Sequence, residues 1–577
     1  MYIGISAYNH ESAAALIDDK CQLLDFCKEE SISRIKGDKS FPARSIQKIL
    51  DDNNLDIKNI EKFIFYERPL SAFLYPLKIA SMNLPKSIPL MTHQFRNFKK
   101  SSLTCFLDLS KIYSGSENKL YYLDHHLSHT LTALLYSEVH ENLCSIVVDG
   151  FGDRSTASIH NVNDPYNIKE LWNLKYPFSI GLFYSAITDY LGFAINEGEY
   201  KVMGLAAFGN PKSKYNQIIN KLIYWDKKNK SIKTDMKYFN YHTSVTASYS
   251  EELIPLLGSP RNPFNQLLPE DSDFQRYADI ARATQNVTEK LLVEIFKYGH
   301  ELTGLTSFLF SGGVALNSVS LKTLANLPFV DQIIIPPSPG DAGAAIGAAY
   351  YGFLKGKFSS DIIKKPSLFP SLSKFDKQFN QASKIISEGF NVLTRENEEA
   401  LIVCSKLIKQ GEIIGTIVGN SETGPRALGN RSLICDGKNH DAVKFLNTVI
   451  KNRSPFRPTA PVMKMETARK FYKINDALLK AYYSMSATCE CLEKSDALDF
   501  PVTHVDGTAR LQIAEEGSFI FSLLSKLSSY DIDILANSSL NVSGDPTCLD
   551  FFDGLLVGVN SELRYLLTDY GLLEKKS

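Results

Sequence analysis

The sequence has no charge excess of either sign. Its 63 lysines and arginines stand against 64 aspartates and glutamates, a net charge of −1. A nucleic-acid coat carries a basic surplus or stripe, so no nucleic-acid partner is expected. No apolar run approaches the ~20 residues that span a bilayer, so no membrane partner is expected either. Residues 1–6 have no cationic stretch, and Asn9, His10 and Glu11 interrupt any apolar core, unlike a secretory leader. The nine cysteines are scattered without a C-x-x-C pair, Cys489 and Cys491 lying closest. That excludes a disulfide framework and a paired-cysteine zinc module, and suits a reducing, cytoplasmic setting. No tandem repeat of the solenoid kind is present.

What is there reads as α/β. At 577 residues, 44% hydrophobic and 22% charged, the chain has room for more than one domain of ordinary globular composition. Strands are expected at 2–8, 13–17 and 21–26, then at 146–150, 308–310 and 333–335. A long helix is expected at 274–303, where apolar residues recur at helical spacing. Residues 340–351, GDAGAAIGAAYY, read as a helix so rich in small side chains that something packs closely on it. Gly, Lys, Ser and Pro accumulate around 354–377, as in a linker. A second α/β region follows, with a helix at 398–409, strands at 412–418 and 532–536, and an apolar segment at 555–559 too short to assign. The expected division is a domain at 1–355, a linker at 356–385 and a domain at 386–577.

Three glycine-bearing turns follow strands in the first domain: Gly4, the run Asp149-Gly150-Phe151-Gly152-Asp153, and Ser311-Gly312-Gly313. They read either as backbone cradles for phosphate or as ordinary strand-to-loop glycines. The run Asp124-His125-His126-Leu127-Ser128-His129 is sharper. Asp124 can cap a helix, and His125 and His129, four apart, share one face of it. That is a bidentate metal platform. Asp149 and Asp341 could complete it, and mixed imidazole and carboxylate ligands suit Fe, Mn, Zn or Mg. His126 points off this face. His10, in a loop between strands, reads either as a loop histidine bonded to backbone or as a base for an attacking hydroxyl. Residues 193–209, with Glu197, Glu199 and Lys201, read as a ligand wall or a solvated hairpin.

In the second domain the run from Gly424 to Ser432, GPRALGNRS, sets two arginines in a backbone fixed by proline and glycine. Lys451, Arg453, Arg457 and Arg510 follow. Converging cations of this kind bind polyanions such as ATP or an acyl phosphate, arginine by bidentate geometry and lysine as a point charge. Asn537, after a strand, offers a polar end for a base or sugar.

Together these segments resemble the O-carbamoyltransferase family of nodulation-factor, cephalosporin, novobiocin and aminoglycoside modification. The resemblance rests on NHESAAAL, SRIKGDKSFP, DHHLSH, VVDGFGD, GEYKVMGLAAFG, SGGVALN, PGDAGAAIGAA, ETGPRALGNRS, NRSPFRPTAPV, HVDGTARLQ and NSSLNVSGDP, in order over nearly the whole chain. It implies a two-lobed first domain like actin, sugar kinases and heat-shock chaperones (ribonuclease H-like), and a YrdC-like second domain. It implies that carbamoyl phosphate and ATP with Mg give carbamoyl-adenylate in the second domain. It implies that a hydroxyl of a small-molecule acceptor, with His10 as its expected base, then takes the carbamoyl group in the first. By matching motif the metal ligands are His125, His129, Asp149 and Asp341. The adenylation cations are Arg426, Lys451, Arg457 and Arg510, and Gly312, Gly313, Asn317 and Asn537 stand at nucleotide-binding positions. A homodimer is left open.

This sequence departs from the family at Gly37, where many relatives have histidine, at Asn420-Ser421 in place of Arg-Met, at Leu321 in place of asparagine, and at Ser538 and Leu540 in place of Thr and Phe. The first three changes are expected at ligand surfaces. Rival readings are a tRNA threonylcarbamoyl-type enzyme, disfavoured by the neutral charge, and a hydrogenase-maturation carbamoyltransferase, disfavoured by the missing C-x-x-C modules. A non-catalytic nucleotide-binding scaffold is disfavoured by the intact ligand and cation set.

Overall fold

The first three strands form because short apolar runs are cut by turn residues, and each run is buried along its length. They are β1 (Tyr2–Ser6), β2 (Ala13–Ile17) and β3 (Leu23–Lys28). They meander antiparallel, and β4 (Lys62–Phe65) and β5 (Leu120–Tyr122) add in parallel, giving the order β3-β2-β1-β4-β5. The same arrangement recurs in a second sheet of β6 (Leu143–Gly152), β7 (Ser155–Asp164), β8 (Asn167–Lys175), β11 (Ser307–Ser311) and β12 (Gln332–Ile334), in the order β12-β11-β6-β7-β8. A hairpin of β9 (Ile223–Asp226) and β10 (Ser231–Thr234) stands apart. Three antiparallel strands followed by two parallel ones, used twice, is the duplicated ribonuclease H-like plan of actin-like folds. In this computed structural model, residues 1–98, 101–356, 366–368, 379–454 and 456–576 are described.

The chain divides into two compact units, one of Met1–Glu29 with Gly37–Pro366 and one of Glu30–Lys36 with Ser367–Ser577. The expected linker, 356–385, falls largely outside the described residues, and its last part enters the helix Phe379–Gly389. The second unit is built on a mixed eight-stranded sheet, in keeping with the expected YrdC-like α/β domain. Its strands are β13 (Phe390–Thr394), β14 (Ile414–Ile417), β15 (Arg431–Asp436), β16 (Ala460–Met463), β19 (Gln512–Ile513), β20 (Ile534–Ser539), β21 (Tyr565–Thr568) and β22 (Gly571–Lys575), ordered β13-β22-β21-β14-β15-β20-β16-β19. The short pair β17 (Thr488–Glu490) and β18 (Thr508–Arg510) lies outside it. Helices Asn397–Lys409 and Phe519–Leu527 contribute Cys404, Ile408, Leu523 and Leu527 to a buried cluster with Ile414, Ile434 and Leu535 of the sheet. The segment 555–559 is the end of a helix, Phe551–Val559, whose start is capped by the Asp550 carboxylate accepting from Asp553 N.

In the first unit two helices fill the centre. Helix His125–Leu135 buries every residue except Leu127, which is why its sequence shows no clear polar face. Its hydroxyls find partners inside: the Thr132 hydroxyl is shared between Ser128 O and Gly343 O, both at 2.9 Å, and Thr130 Oγ1 meets Ser145 Oγ at 2.9 Å. Helix Asp341–Gly356 lies against it and on the first sheet. Gly4 belongs to this contact. It sits within β1, and a Cβ there would stand 1.9 Å from Ala345 O. Gly4 therefore admits a helix rather than a phosphate, which corrects the reading of it as a cradle.

Buried β7 also holds His160, its Nδ1 3.3 Å from Thr130 Oγ1. Burial pushes the imidazole down to about 4, below its unfolded value near 6.5. The unfolded chain therefore takes the proton first, and stability falls as pH drops from about 6.5 towards 4. The loss at pH 5 is about 2 kcal/mol. His160→Gln is expected to remove that part of the fall in urea midpoint between pH 7 and pH 5. An unchanged difference would refute the assignment.

Candidate functional sites

The first site forms where strand ends of both sheets of the first unit meet the start of helix His125–Leu135. Asp124 caps that helix, accepting from Leu127 N at 3.2 Å. Asp153 fixes the approach, accepting from His125 N at 3.1 Å and from Arg68 N at 2.8 Å. The i, i+4 spacing then brings His125 Nε2 and His129 Nε2 to 3.2 Å. Asp149, leaving β6, places Oδ2 3.3 Å and 3.1 Å from these two nitrogens. Asp341, opening its helix, places Oδ1 3.6 Å and 3.5 Å away. All four donor atoms lie within 4.8 Å of one another, both histidines being fully buried. Gly152 is required beside them, because a Cβ there would overlap the His125 ring at 2.0 Å.

Two buried imidazole nitrogens this close, facing two mostly buried carboxylates, form a donor set that can hold a cation. Without a metal the protons must serve. Burial opposes a charged His125, but its hydrogen bond to Asp149 and the charges of Asp341, Asp149 and Glu67 outweigh it, pushing the imidazole up to about 10. Burial likewise opposes a charged Asp149, yet the two histidines hold it well below the usual carboxylate range. The residues fit a divalent metal by donor set and by convergence. His126 turns away, its Nδ1 2.8 Å from Ser158 Oγ, as its position on the helix predicts.

Other expected residues frame this centre. Gly313 N donates to Asp149 Oδ1 at 3.3 Å and so helps hold that carboxylate, while Gly312 N donates to Pro339 O at 2.8 Å. Asn317 is taken up by the protein: it caps helix Ser318–Ala325 and exchanges hydrogen bonds of 2.9 Å and 3.0 Å with Gln285. Leu321 is fully buried in that helix, so the departure there alters core rather than a ligand surface. His10 is half-buried in the loop after β1. Its neighbour Asn9 donates to Glu67 Oε2 at 2.7 Å and to the Tyr66 hydroxyl at 3.1 Å, and that hydroxyl lies 3.4 Å from Asp341 Oδ2. Residues 193–209 fold into helix Glu199–Leu205 and a further turn. Sequence reasoning missed Tyr66 and Glu67, although a carboxylate at a strand end was the same signal that marked Asp149.

The second site lies within the second unit. Glu422 Oε1 accepts from Leu428 N, Asn430 N and Arg431 N at 2.9–3.1 Å, which coils GPRALGNR into a fixed loop. Arg431 is fully buried, donating to Leu549 O, Val418 O and Gly419 O. It braces the loop. Arg426 remains half-buried at the loop's crest. Asn537 lies beneath, donating to Ala427 O at 2.9 Å and to Gln512 Oε1 at 2.7 Å, so its amide supports the loop. Lys451 is buried and donates to Ser539 O at 2.9 Å and Asn541 O at 2.7 Å. Burial, then the positive fields of Arg453, Arg457 and Lys36, push its ammonium well down. Burial, then Arg426, Arg453 and Arg457, do the same to Arg510, whose Nε is buried without a hydrogen-bond partner. Arg453 and Arg457 thus act on both Lys451 and Arg510, with Lys36 acting on the first and Arg426 on the second. Lys36 is the one cation here that the sequence reading did not expect.

Residues 1–350 match the family model for the carbamoyltransferase N-terminus, and residues 405–575 that for the carbamoyltransferase C-terminus. An uncharacterized protein of Synechocystis sp. is 31% identical over 99% of this chain and 96% of its own length. Nodulation protein NolNO of Sinorhizobium fredii is 26% identical over 99% of this chain and 80% of its own. The 3'-hydroxymethylcephem-O-carbamoyltransferase of Streptomyces clavuligerus is 25% identical over 64% of each chain. Among solved structures, HypF of T. kodakarensis aligns at 13% identity and a TM-score of 0.32, over 62% of this chain and 48% of its own.

Proposed function

The chain belongs to the carbamoyltransferase family, and on that premise we propose that it is an ATP-dependent O-carbamoyltransferase with one site in each unit. In the second unit, water hydrolyses carbamoyl phosphate to carbamate and inorganic phosphate. A carbamate oxygen attacks the α-phosphorus of ATP, forming carbamoyl-adenylate and releasing pyrophosphate. In the first unit a hydroxyl of a small natural-product or sugar acceptor attacks the carbonyl carbon. The C–O bond to AMP breaks, and the hydroxyl proton goes to His10.

The observation that carries this reading is the gathering of cations at this loop: Arg453, Arg457 and Lys36 act against the charge of Lys451, and Arg426, Arg453 and Arg457 against that of Arg510. Adenylation makes carbamate, a poor electrophile, into an acyl group with a good leaving group, and fixed cations offset the charge that builds during it. A divalent metal bound by His125, His129, Asp149 and Asp341 supplies Lewis-acid polarisation and charge neutralisation in the first unit. Around it, Asp153 and Asp124 hold the ligand helix, and the Asn9–Tyr66 link ties the His10 loop to the Asp341 side. ATP and carbamoyl phosphate as co-substrates fit a cytoplasmic setting.

The test is incubation of the protein with carbamoyl phosphate, ATP and Mg²⁺, following phosphate, pyrophosphate and carbamoyl-adenylate by mass spectrometry. Pyrophosphate release that depends on carbamoyl phosphate, with the adenylate detected, is the expected result. No pyrophosphate under any divalent metal, with or without candidate hydroxyl acceptors, removes the two-site reading.

A further inference from the structure

Between Glu67 and Asp108 the sequence has no aspartate or glutamate, yet holds Arg68, Lys78, Lys86, Arg96, Lys99 and Lys100. In a chain of net charge −1 this is a local basic block. The same stretch is apolar on its outside. Helix Pro69–Ser81 and helix Ile88–Arg96 pair as a hairpin, Phe73 of the first meeting Phe95 and Phe98 at ring-centroid distances of 6.2 Å and 5.6 Å. Helix Ile88–Arg96 buries none of its residues. The hairpin tip exposes Met82 at 68%, Leu84 at 55% and Ile88 at 53%, with Phe95 at 58% beyond it and Leu74 below. Lys78, Lys86 and Arg96 are exposed among them.

Apolar side chains of this size, clustered and left in water, mark an interaction surface. Exposed cations interleaved with them, with no acidic residue in the segment to neutralise them, select an anionic partner. We propose that this hairpin docks the protein on an anionic lipid surface, its tip entering the headgroup–acyl boundary and its lysines and arginine meeting the headgroups. The earlier expectation of no membrane partner considered only spanning segments, and among the described residues no helix is long and apolar enough to cross a membrane. A peripheral hairpin needs no such helix. The hairpin springs from Arg68, whose backbone N–H is held by the Asp153 carboxylate that also takes His125 N, and its first helix has 13 residues.

Full-length protein sedimented with vesicles tests the proposal. It is expected to pellet with vesicles of equal phosphatidylcholine and phosphatidylglycerol, not with phosphatidylcholine alone, and to be released by salt. Each cation removed is expected to lower partitioning about 5-fold, so that K78Q/K86Q/R96Q lowers it about 100-fold. M82S/L84S is expected to lower it about 10-fold or more at unchanged charge. Both variants are expected to keep the elemental metal content and urea midpoint of the parent, which excludes unfolding. Equal pelleting with neutral and anionic vesicles, or pelleting untouched by either variant, overturns the proposal. So does a concentration-dependent dimer in sedimentation velocity that M82S/L84S dissociates, since the face then belongs to a second copy of the chain.

Discussion

His125→Ala is expected to strip the first unit of its divalent metal and to cut carbamoyl transfer by about 10³-fold or more, while pyrophosphate release in the second unit continues. The metal content follows from the donor set. His125 Nε2 lies within 3.6 Å of His129, Asp149 and Asp341 donor atoms, so its removal leaves three ligands around a void. The alanine variant also loses a buried charge partner, and such losses cost roughly 3–5 kcal/mol. Lower activity alone could then reflect weaker folding. Asp341→Asn separates the two effects, because it keeps the side chain's volume and withdraws one negative ligand. Elemental analysis per chain is the first measurement. The second is the rise in melting temperature on adding metal, which for a site 1,000-fold saturated corresponds to about 4 kcal/mol in the parent and is expected to vanish in both variants. Metal content and transfer at parental levels in His125→Ala would show that the cluster is structural.

The histidine pair of the cluster was legible in the sequence because its geometry is local. A spacing of four residues on one helix brings the two imidazoles together, and a capping aspartate fixes the helix start. Asp149 and Asp341 were legible as acids placed where a strand leaves and a helix begins. The Asn9–Tyr66–Asp341 chain was not, since each hydrogen bond joins residues far apart in sequence and nothing in either neighbourhood names its partner. Gly4 failed for the same reason. A glycine's purpose is set by whatever occupies the place of its side chain, here a helix backbone more than three hundred residues later. Arg426 and Arg431 make the point most sharply. They share one motif and one side-chain type, yet Arg431 is fully buried on backbone carbonyls and Arg426 is half-buried. Burial divides bracing from binding, and burial is a property of the fold. The helix ending at Val559 escaped notice only because its signal, the Asp550 cap, lay upstream of the apolar stretch.

Arg426→Ala is expected to lower carbamoyl phosphate-dependent pyrophosphate release by about 10²–10³-fold, the usual cost of losing one preorganised charge-stabilising donor. The surroundings of Arg510 set this cost. Its Nε is buried and has no hydrogen-bond partner among the described residues, and Arg426, Arg453 and Arg457 all act against its charge. Such a cluster costs the ligand-free protein stability and regains it when phosphates enter. Two consequences distinguish Arg426 from a structural arginine. Removing it relieves the repulsion on Arg510, so the ligand-free variant is expected to lose less melting temperature than one lacking a brace like Arg431, whose removal strands buried carbonyls. The melting-temperature gain on adding ATP, large in the parent, shrinks in the variant. If Arg426 acts mainly as charge develops, the loss falls on kcat. If it only holds the ground-state nucleotide, the loss falls on KM and saturating ATP restores the rate. Pyrophosphate release at the parental rate would take Arg426 out of the adenylation site altogether and leave its place there to Arg453 and Arg457.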